Sequence, residues 1–195
     1  DAGALQFARP VRWLVALYGS QAVRCSIGRL QAHSKTRIGL PRVSKPVKLA
    51  SAADYLNVMA RCGIVVDHAK RRKTIERFVN AHAKPLPGAP APEMVAHGLL
   101  DEVTFLVEHP TPLHGQFDRT YLTLPREVLL ASMAKHQRVF ALEDRHGKLL
   151  PAFVAILDGA PRKPDRVRRV HEHILNARLA DSLLFWWQDH RVPLE

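Results

Sequence analysis

Residues Leu122 to Phe140 constrain the fold most, because they join a helix-start signal to a bounded amphipathic stripe. Pro125 suits the first helical position, where its missing N–H costs nothing, and Glu127 favours the positive end of a helix. Leu129, Met133 and His136 fall at helical spacing, with Val128 and Ala131 beside them. Arg126, Glu127, Lys135, Gln137 and Arg138 take the flanks and the outer side. Val139-Phe140 then leads out into a short strand. Periodicity by itself asks only for packing here.

The rest of the chain mixes strand and helix signals. Val11 to Tyr18 alternates like a mostly buried strand, and Gln21 to Leu30 returns after Gly19-Ser20, which predicts a hairpin. His33 to Pro46 reads as a basic loop, and Val47 to Ala50 as a short strand. Ser51 to Asp54 resembles a capping box with Asp in the last place, starting a helix that stops at Gly63. Asp67 caps a second helix around Ile75, Phe78 and Val79. Residues 84–92, rich in proline, predict an extended internal loop. Glu93 to Glu108 resumes as helix on Met94, Val95, Leu99, Val103 and Leu106. Pro110 and Pro112 end it and confine the next segment to an edge strand. Val139–Glu143 and Leu149–Leu157 predict a hairpin around Asp144-Arg-His-Gly147. Residues 158–168 read as a linker, and a C-terminal helical segment follows over 169–195.

Antiparallel strands and helices without a repeating βαβ unit predict an α+β fold. The expected organisation is one α+β domain over 1–157, then the linker, then the helical segment. The expected core includes Trp13, Val15, Leu106, Leu129, Met133, Phe153, Leu179 and Phe185.

Composition bears on partners. The chain has 195 residues and 47% hydrophobic content, enough for a packed core. Its 29 Lys+Arg against 18 Asp+Glu leave a net charge of +11. That excess favours a polyanion, nucleic acid ahead of an acidic membrane surface. The basic residues gather at Lys35 to Lys48, at Lys70 to Arg77, and at Arg162, Lys163, Arg166, Arg168 and Arg169. Trp13, Phe140, Phe153, Trp186 and Trp187 sit in apolar contexts, so backbone and shape contact is favoured over base stacking. Cys25 and Cys62 lie far apart and read as reduced thiols of a cytoplasmic protein. No apolar run reaches membrane-spanning length, so no membrane partner is expected. The chain opens without Met and is read as a fragment.

Candidate chemistry is sparse. His171-Glu-His173 has the wrong spacing for a helical metal pair, and no metal site is expected. Glycine-rich phosphate loops and nucleophile elbows are missing from the sequence. Nothing reads as an autonomous catalytic site. Glu102, Glu108 and Glu127 cannot be paired from sequence.

Four stretches resemble the beta subunit of bacterial two-subunit glycyl-tRNA synthetase, in the family's own order. They are Phe7-Ala-Arg-Pro-Val-Arg-Trp-Leu-Val-Ala-Leu17; Glu102-Val-Thr-Phe-Leu-Val-Glu108 with Pro110 and Gly115-x-Phe117; Leu124 to Phe140 with Leu149-Leu-Pro-x-Phe153; and Ala177-Arg-Leu-Ala-Asp181 with Phe185-Trp186 and Asp189. The positions that carry the likeness are Arg9, Pro10, Arg12, Trp13, Glu102, Glu127, Ser132, Met133, His136, Gln137, Glu172, Arg178 and Asp181. Two motifs depart from the family's wording: Thr36-Arg-Ile-Gly-Leu-Pro41 replaces Thr-Arg-Gly-His-Arg-Phe, and Val170-His-Glu172 replaces Gly-Asn-Glu.

The resemblance implies the central part of that subunit, a layered α+β module similar to the B3/B4 domain of phenylalanyl-tRNA synthetase. It implies no cofactor on this chain, with ATP and Mg on the partner alpha subunit. It implies tRNA and the alpha subunit as partners, and leaves a homo-oligomer open. The family's HD-like and anticodon-binding domains are expected beyond Glu195. The expected role is non-catalytic: supporting subunit architecture and tRNA binding. The candidate tRNA contacts are Arg166, Arg168, Arg169, Arg162, Lys163, Lys70, Arg71, Arg72, Lys35 and Arg37. Two rivals stand beside it. A freestanding relative could deacylate mischarged tRNA from a polar pocket near His136, Gln137 and Glu102, or the chain could be a scaffold without RNA contact.

Overall fold

The computed structural model describes residues 11–38, 45–83, 88–93 and 98–191. The fold is α+β. Contacts divide the chain into two compact units, Asp1–Ile64 and Val65–Glu195. Residues 1–157, expected as one domain, therefore fall into two units. The segment 158–168, expected as a linker, runs straight into a helix that belongs to the second unit's core.

The first unit is built from short strands. β1 (Leu14–Val15) lies parallel to β5 (Leu30–His33), which pairs antiparallel with β4 (Ser26–Ile27). β2 (Leu17–Tyr18) and β3 (Gln21–Ala22) close a tight hairpin at Gly19. The single long hairpin expected over residues 11–30 is thus broken in two, because Gly28 adds a second turn with positive φ. β6 (Lys35–Ile38) and β7 (Lys45–Lys48) form a ribbon inside the segment expected as a loop. A single turn of 3₁₀ helix and α1 (Tyr55–Arg61) follow, ending at Gly63 with φ +81°. Ser51 Oγ donates to Asp54 Oδ2 at 2.9 Å and caps no backbone N–H, so the expected capping box gives way to a side-chain pair. Leu49, Val58 and Met59 are the buried centre, with Val15, Leu17, Ile38, Val47 and Ile64 packed around them. Trp13 and Val15 are half-buried, not core.

The second unit is organised on a four-stranded sheet in the order β8 (Ala89–Pro90), β10 (Phe140–Glu143), β11 (Leu149–Asp158), β9 (Pro110–Gln116). Ala152 to Ala155 are buried at four successive positions, which point alternately to opposite faces. The sheet is therefore covered on both sides there. β9 stands at the edge, as its prolines require. Asp67 accepts from the N–H groups of Ala69 and Lys70 and starts α2 (His68–Ala83). α3 (Leu99–Leu106) follows. The expected core positions Met94 and Val95, and motif positions Arg9 and Pro10, lie outside the described residues.

The stretch at Leu122–Phe140 differs from a plain helix. Pro125 is the N-cap of α4 (Arg126–Ala131), with extended ψ of 144°. The helix then widens into a π-helical turn over Ser132–Gln137. That change moves the inward stripe to Leu129, Leu130, Ser132 and Met133, and leaves His136 exposed. α5 (Pro164–Asp189) closes the unit and buries Leu175 and Leu179 completely. Leu106 is 42% exposed and Phe185 61%, so neither is core. For Leu106, α3 has turned its inward face to Leu99, Leu100 and Val103; for Phe185, α5 has turned inward Leu175, Leu179, Leu183 and Trp186.

Gly115 faces Phe153 across the β9–β11 ladder, and a Cβ there would overlap the ring. Gly115→Ala should cost about 1–3 kcal/mol in denaturant unfolding, because fully buried Phe153 has no room to retreat. Met133→Ala should cost ~2–5 kcal/mol by the same measurement, while Phe185→Ala should change stability by less than ~1 kcal/mol.

Candidate functional site

The basic residues of the second unit divide into those used inside the fold and those left at the surface. Arg71, a candidate tRNA contact, is 8% exposed. Its Nε donates to the Thr104 carbonyl at 2.7 Å, and one terminal nitrogen to the carbonyls of Val65 (2.6 Å) and Val66 (3.2 Å). Thr104 lies in the last turn of α3, where free carbonyls and the helix dipole favour a cation. Arg71 is a structural clamp between α2 and α3 and presents no charge to a partner. Arg72 pairs with Asp101 at 2.6 Å, and Asp101 raises the guanidinium's pKa above its ordinary value.

Two more arginines close the unit. Arg126 grips Glu93 with two nitrogens at 2.9 Å each, Glu143 at 2.6 Å, and the Gly147 carbonyl at 2.9 Å. Those carboxylates raise its pKa. This joins the start of α4 to the β10–β11 hairpin. Sequence reasoning missed it, because the partners lie 33, 17 and 21 positions away. Arg138 ends the π-helical turn in left-handed conformation, φ 51°, and pairs with Glu102 at 2.5 Å.

Between α3 and α4 lies a cleft of about 470 Å³. Leu99, Leu130, Ala131 and Ala134 give it an apolar floor, and Glu102, Glu127 and Lys135 stand at its walls. The structure thus brings together two glutamates that sequence alone could not pair. It does not add His136 or Gln137, which are not among the lining residues. Glu102 is already held by Arg138, so the arrangement offers ion-pair and hydrogen-bond acceptors, not an aimed nucleophile or base.

The other family-motif positions divide between packing and solvent. Ser132 Oγ lies 2.9 Å from Ser182 Oγ and couples the π-helical turn to α5. Glu172 accepts from the Gln116 N–H at 3.0 Å, and Asn176 from the Asp118 N–H at 2.8 Å, so α5 stitches down the end of β9. Neighbouring His171 is half-buried, and desolvation lowers its pKa. Arg178 and Asp181 face solvent, as do Arg12 and His136.

Of the candidate tRNA contacts, Arg162, Lys163, Arg166, Arg168 and Arg169 are exposed at and just before the first turns of α5. The positive end of a helix disfavours cations, and only Asp165 offsets them, pairing with Arg168 at 3.2 Å. Packing does not need them there, because the inward stripe uses Val167, Leu175, Leu179 and Leu183. Lys70 is exposed on α2. Lys35 and Arg37 are exposed on β6 of the first unit.

Comparison with known proteins gives one answer. The family profile described as glycyl-tRNA synthetase beta subunit matches residues 1–195. The glycine–tRNA ligase beta subunit of Halothermothrix orenii is 40% identical over 190 residues, 97% of this chain and 27% of that protein. Those of Geotalea uraniireducens and Geobacter sulfurreducens are 38% and 37% identical over 191 residues, 98% of this chain and 27% of each. The chain spans about a quarter of the length of these curated relatives.

Arg71→Ala should destabilise the fold by about 1–3 kcal/mol through its orphaned carbonyl partners. Nucleic-acid affinity of the folded variant, measured by anisotropy, should stay at the wild-type value. Arg138→Gly and Arg138→Ala both remove the Glu102 pair, so their difference isolates the left-handed backbone. The glycine variant should be the more stable of the two by about 1 kcal/mol.

Proposed function

The chain belongs to the glycyl-tRNA synthetase beta-subunit family, and from that premise we propose that it is a non-catalytic region of such a subunit that supports its architecture and contributes phosphate contacts to tRNA. The whole subunit would act with an alpha subunit, which would hold ATP and magnesium and attach glycine to tRNA. The observation that carries the tRNA reading is the placement of Arg166, Arg168 and Arg169. They crowd the positive end of α5, outside its packing stripe, where, apart from the exposed Asp165–Arg168 pair, no partner among the described residues rewards them. A polyanion would.

The architectural reading draws on α5 itself. Its inner stripe fills the core of the second unit, and Glu172 and Asn176 tie it to β9. The deacylase alternative draws on the cleft beside Glu102, but the Arg138 pair and the position of His136 outside the lining weigh against it.

The isolated chain should give no glycine-dependent pyrophosphate exchange; such exchange would overturn the non-catalytic reading. Replacing Arg166, Arg168 and Arg169 with Ala should weaken binding to tRNAs of different sequence by a similar factor. The plot of log affinity against log salt should become shallower by roughly 0.7–0.9 for each phosphate that the arginines no longer neutralise. Circular dichroism must show the triple variant folded. Unchanged affinity and slope would assign these arginines to a solvated face.

A further inference from the structure

Two of the three basic clusters lie in the second unit, but most of the charge excess lies in the first. Residues 1–64, the first unit, hold ten Lys and Arg against two acids, Asp1 and Asp54. Residues 65–195 hold nineteen against sixteen. The first unit thus carries +8 of the net +11, with a third of the residues. The second unit also commits Arg71, Arg72, Arg126, Arg138 and Arg168 to carbonyl or carboxylate partners of its own. Two acids cannot neutralise ten bases in the first unit by any arrangement.

The ribbon of β6 and β7 gives this surplus a geometry. Thr36 pairs with Val47 in register, and Ile38 and Val47 pack on the Leu49, Val58 and Met59 cluster, so this is the inner face. Lys35 stands directly opposite Lys48, and Arg37 follows two positions along the same outer face. All three are exposed. Like charges directly opposite on a ladder destabilise it, so the ribbon keeps this pair against its own stability.

The same unit also carries an exposed aromatic side chain. Tyr18, at the β2–β3 turn, is 83% exposed. That turn is pinned to the segment just after β7, where the Ala52 N–H donates to the Gly19 carbonyl at 2.7 Å. Sequence reasoning gave base stacking no exposed aromatic; Tyr18 supplies one. Exposed cations and an exposed ring on one small unit suit unpaired nucleic acid, whose phosphates follow the charges and whose bases can stack.

We propose that the outer face of the β6–β7 ribbon, through Lys35 and Lys48 and together with Tyr18 of the β2–β3 turn, forms a second RNA-binding surface, built from residues other than the arginines of α5 and directed to an unpaired strand. The inference rests on the tRNA reading above but names a different surface and a different mode. Lys35 and Lys48 supply phosphate contacts, and Tyr18 stacks on a base.

The test measures anisotropy of the 195-residue chain with labelled tRNA, an unpaired RNA oligonucleotide and an RNA duplex over a salt series. Lys35→Ala/Lys48→Ala should weaken binding to tRNA and the unpaired strand about fivefold or more at low salt, and make the salt slope shallower by roughly 0.7–0.9 per lysine. Tyr18→Ala should weaken the unpaired strand by about fivefold or more, leave the duplex unchanged, and leave the salt slope unchanged. All three positions are exposed, and circular dichroism verifies the fold. Loss of unpaired-strand binding in the lysine variant, with the α5 triple variant retaining it, supports the proposal. Loss only in the α5 triple variant overturns the proposal and leaves the tRNA reading standing. Equal loss for duplex and unpaired strand in the Tyr18 variant overturns the stacking mode. If the wild-type chain binds none of the three RNAs, the proposal and the tRNA reading both fall.

Discussion

The pairing of β9 with β11 is the interaction on which the second unit depends. It runs in unbroken register from Asp158 opposite Pro110 to Ala152 opposite Gln116, and Gly115 makes room within it for the Phe153 ring. β11 lies inside the sheet and β9 at its edge. The end of that edge is tied down by side chains of α5: Glu172 takes the N–H of Gln116, and Asn176 that of Asp118 just past the strand. An unpaired strand edge is a template for unwanted pairing, and covering it with a helix is the usual remedy. The long C-terminal helix is therefore part of the sheet's own structure. That is why a boundary near residue 158, attractive in the sequence, has no counterpart in the contacts.

Arginine is used in two ways in this unit. Arg71 and Arg126 are hubs, each satisfying several acceptors that would otherwise be left within or beside the core. A planar fork with several donors serves such sites better than a lysine, whose charge is compact and more strongly hydrated. The arginines at the head of α5 are different, since only Arg168 has a carboxylate beside it, and that pair is exposed. Exposed pairs of this kind contribute at most about 1 kcal/mol. The same residue type thus reads as scaffold in one place and as available charge in another, and only burial separates the two.

The sequence showed much of this and misled in definable places. Helix starts at Asp67, the stop at Gly63, the edge position of the proline-bearing strand and the β10–β11 hairpin were legible, because each rests on local backbone chemistry. Arg71 reads as a surface charge because it stands within a run of basic residues, while its burial depends on carbonyls supplied by Thr104 of α3 and by Val65 and Val66. The Arg126 cluster is invisible in the sequence because its two carboxylates and its carbonyl partner lie 17 to 33 positions away. His136 was placed inward by a 3.6-residue period that the π-helical turn does not keep. The family likeness survived these errors because it rests on residues in order, while the site residues depend on how distant segments meet.

The uneven charge between the two units bears on how each is stabilised. The second unit has nearly balanced charge, and its acids and bases are drawn into specific pairs that hold elements together. The first unit cannot do this with two acids, so its short strands rest on a small apolar cluster around Leu49, Val58 and Met59. Mutual repulsion among its bases works against that cluster, most directly where Lys35 faces Lys48 across a two-stranded ribbon. Salt relieves such repulsion over about a Debye length. A bound polyanion relieves it more completely, because it supplies fixed counter-charge to several side chains at once. Binding and stability are then linked: a ligand that recognises the folded face stabilises it by mass action. One unit is thus weakly packed and strongly cationic, and the other well packed and nearly neutral, so charge opposes the fold in the first and helps to hold it in the second.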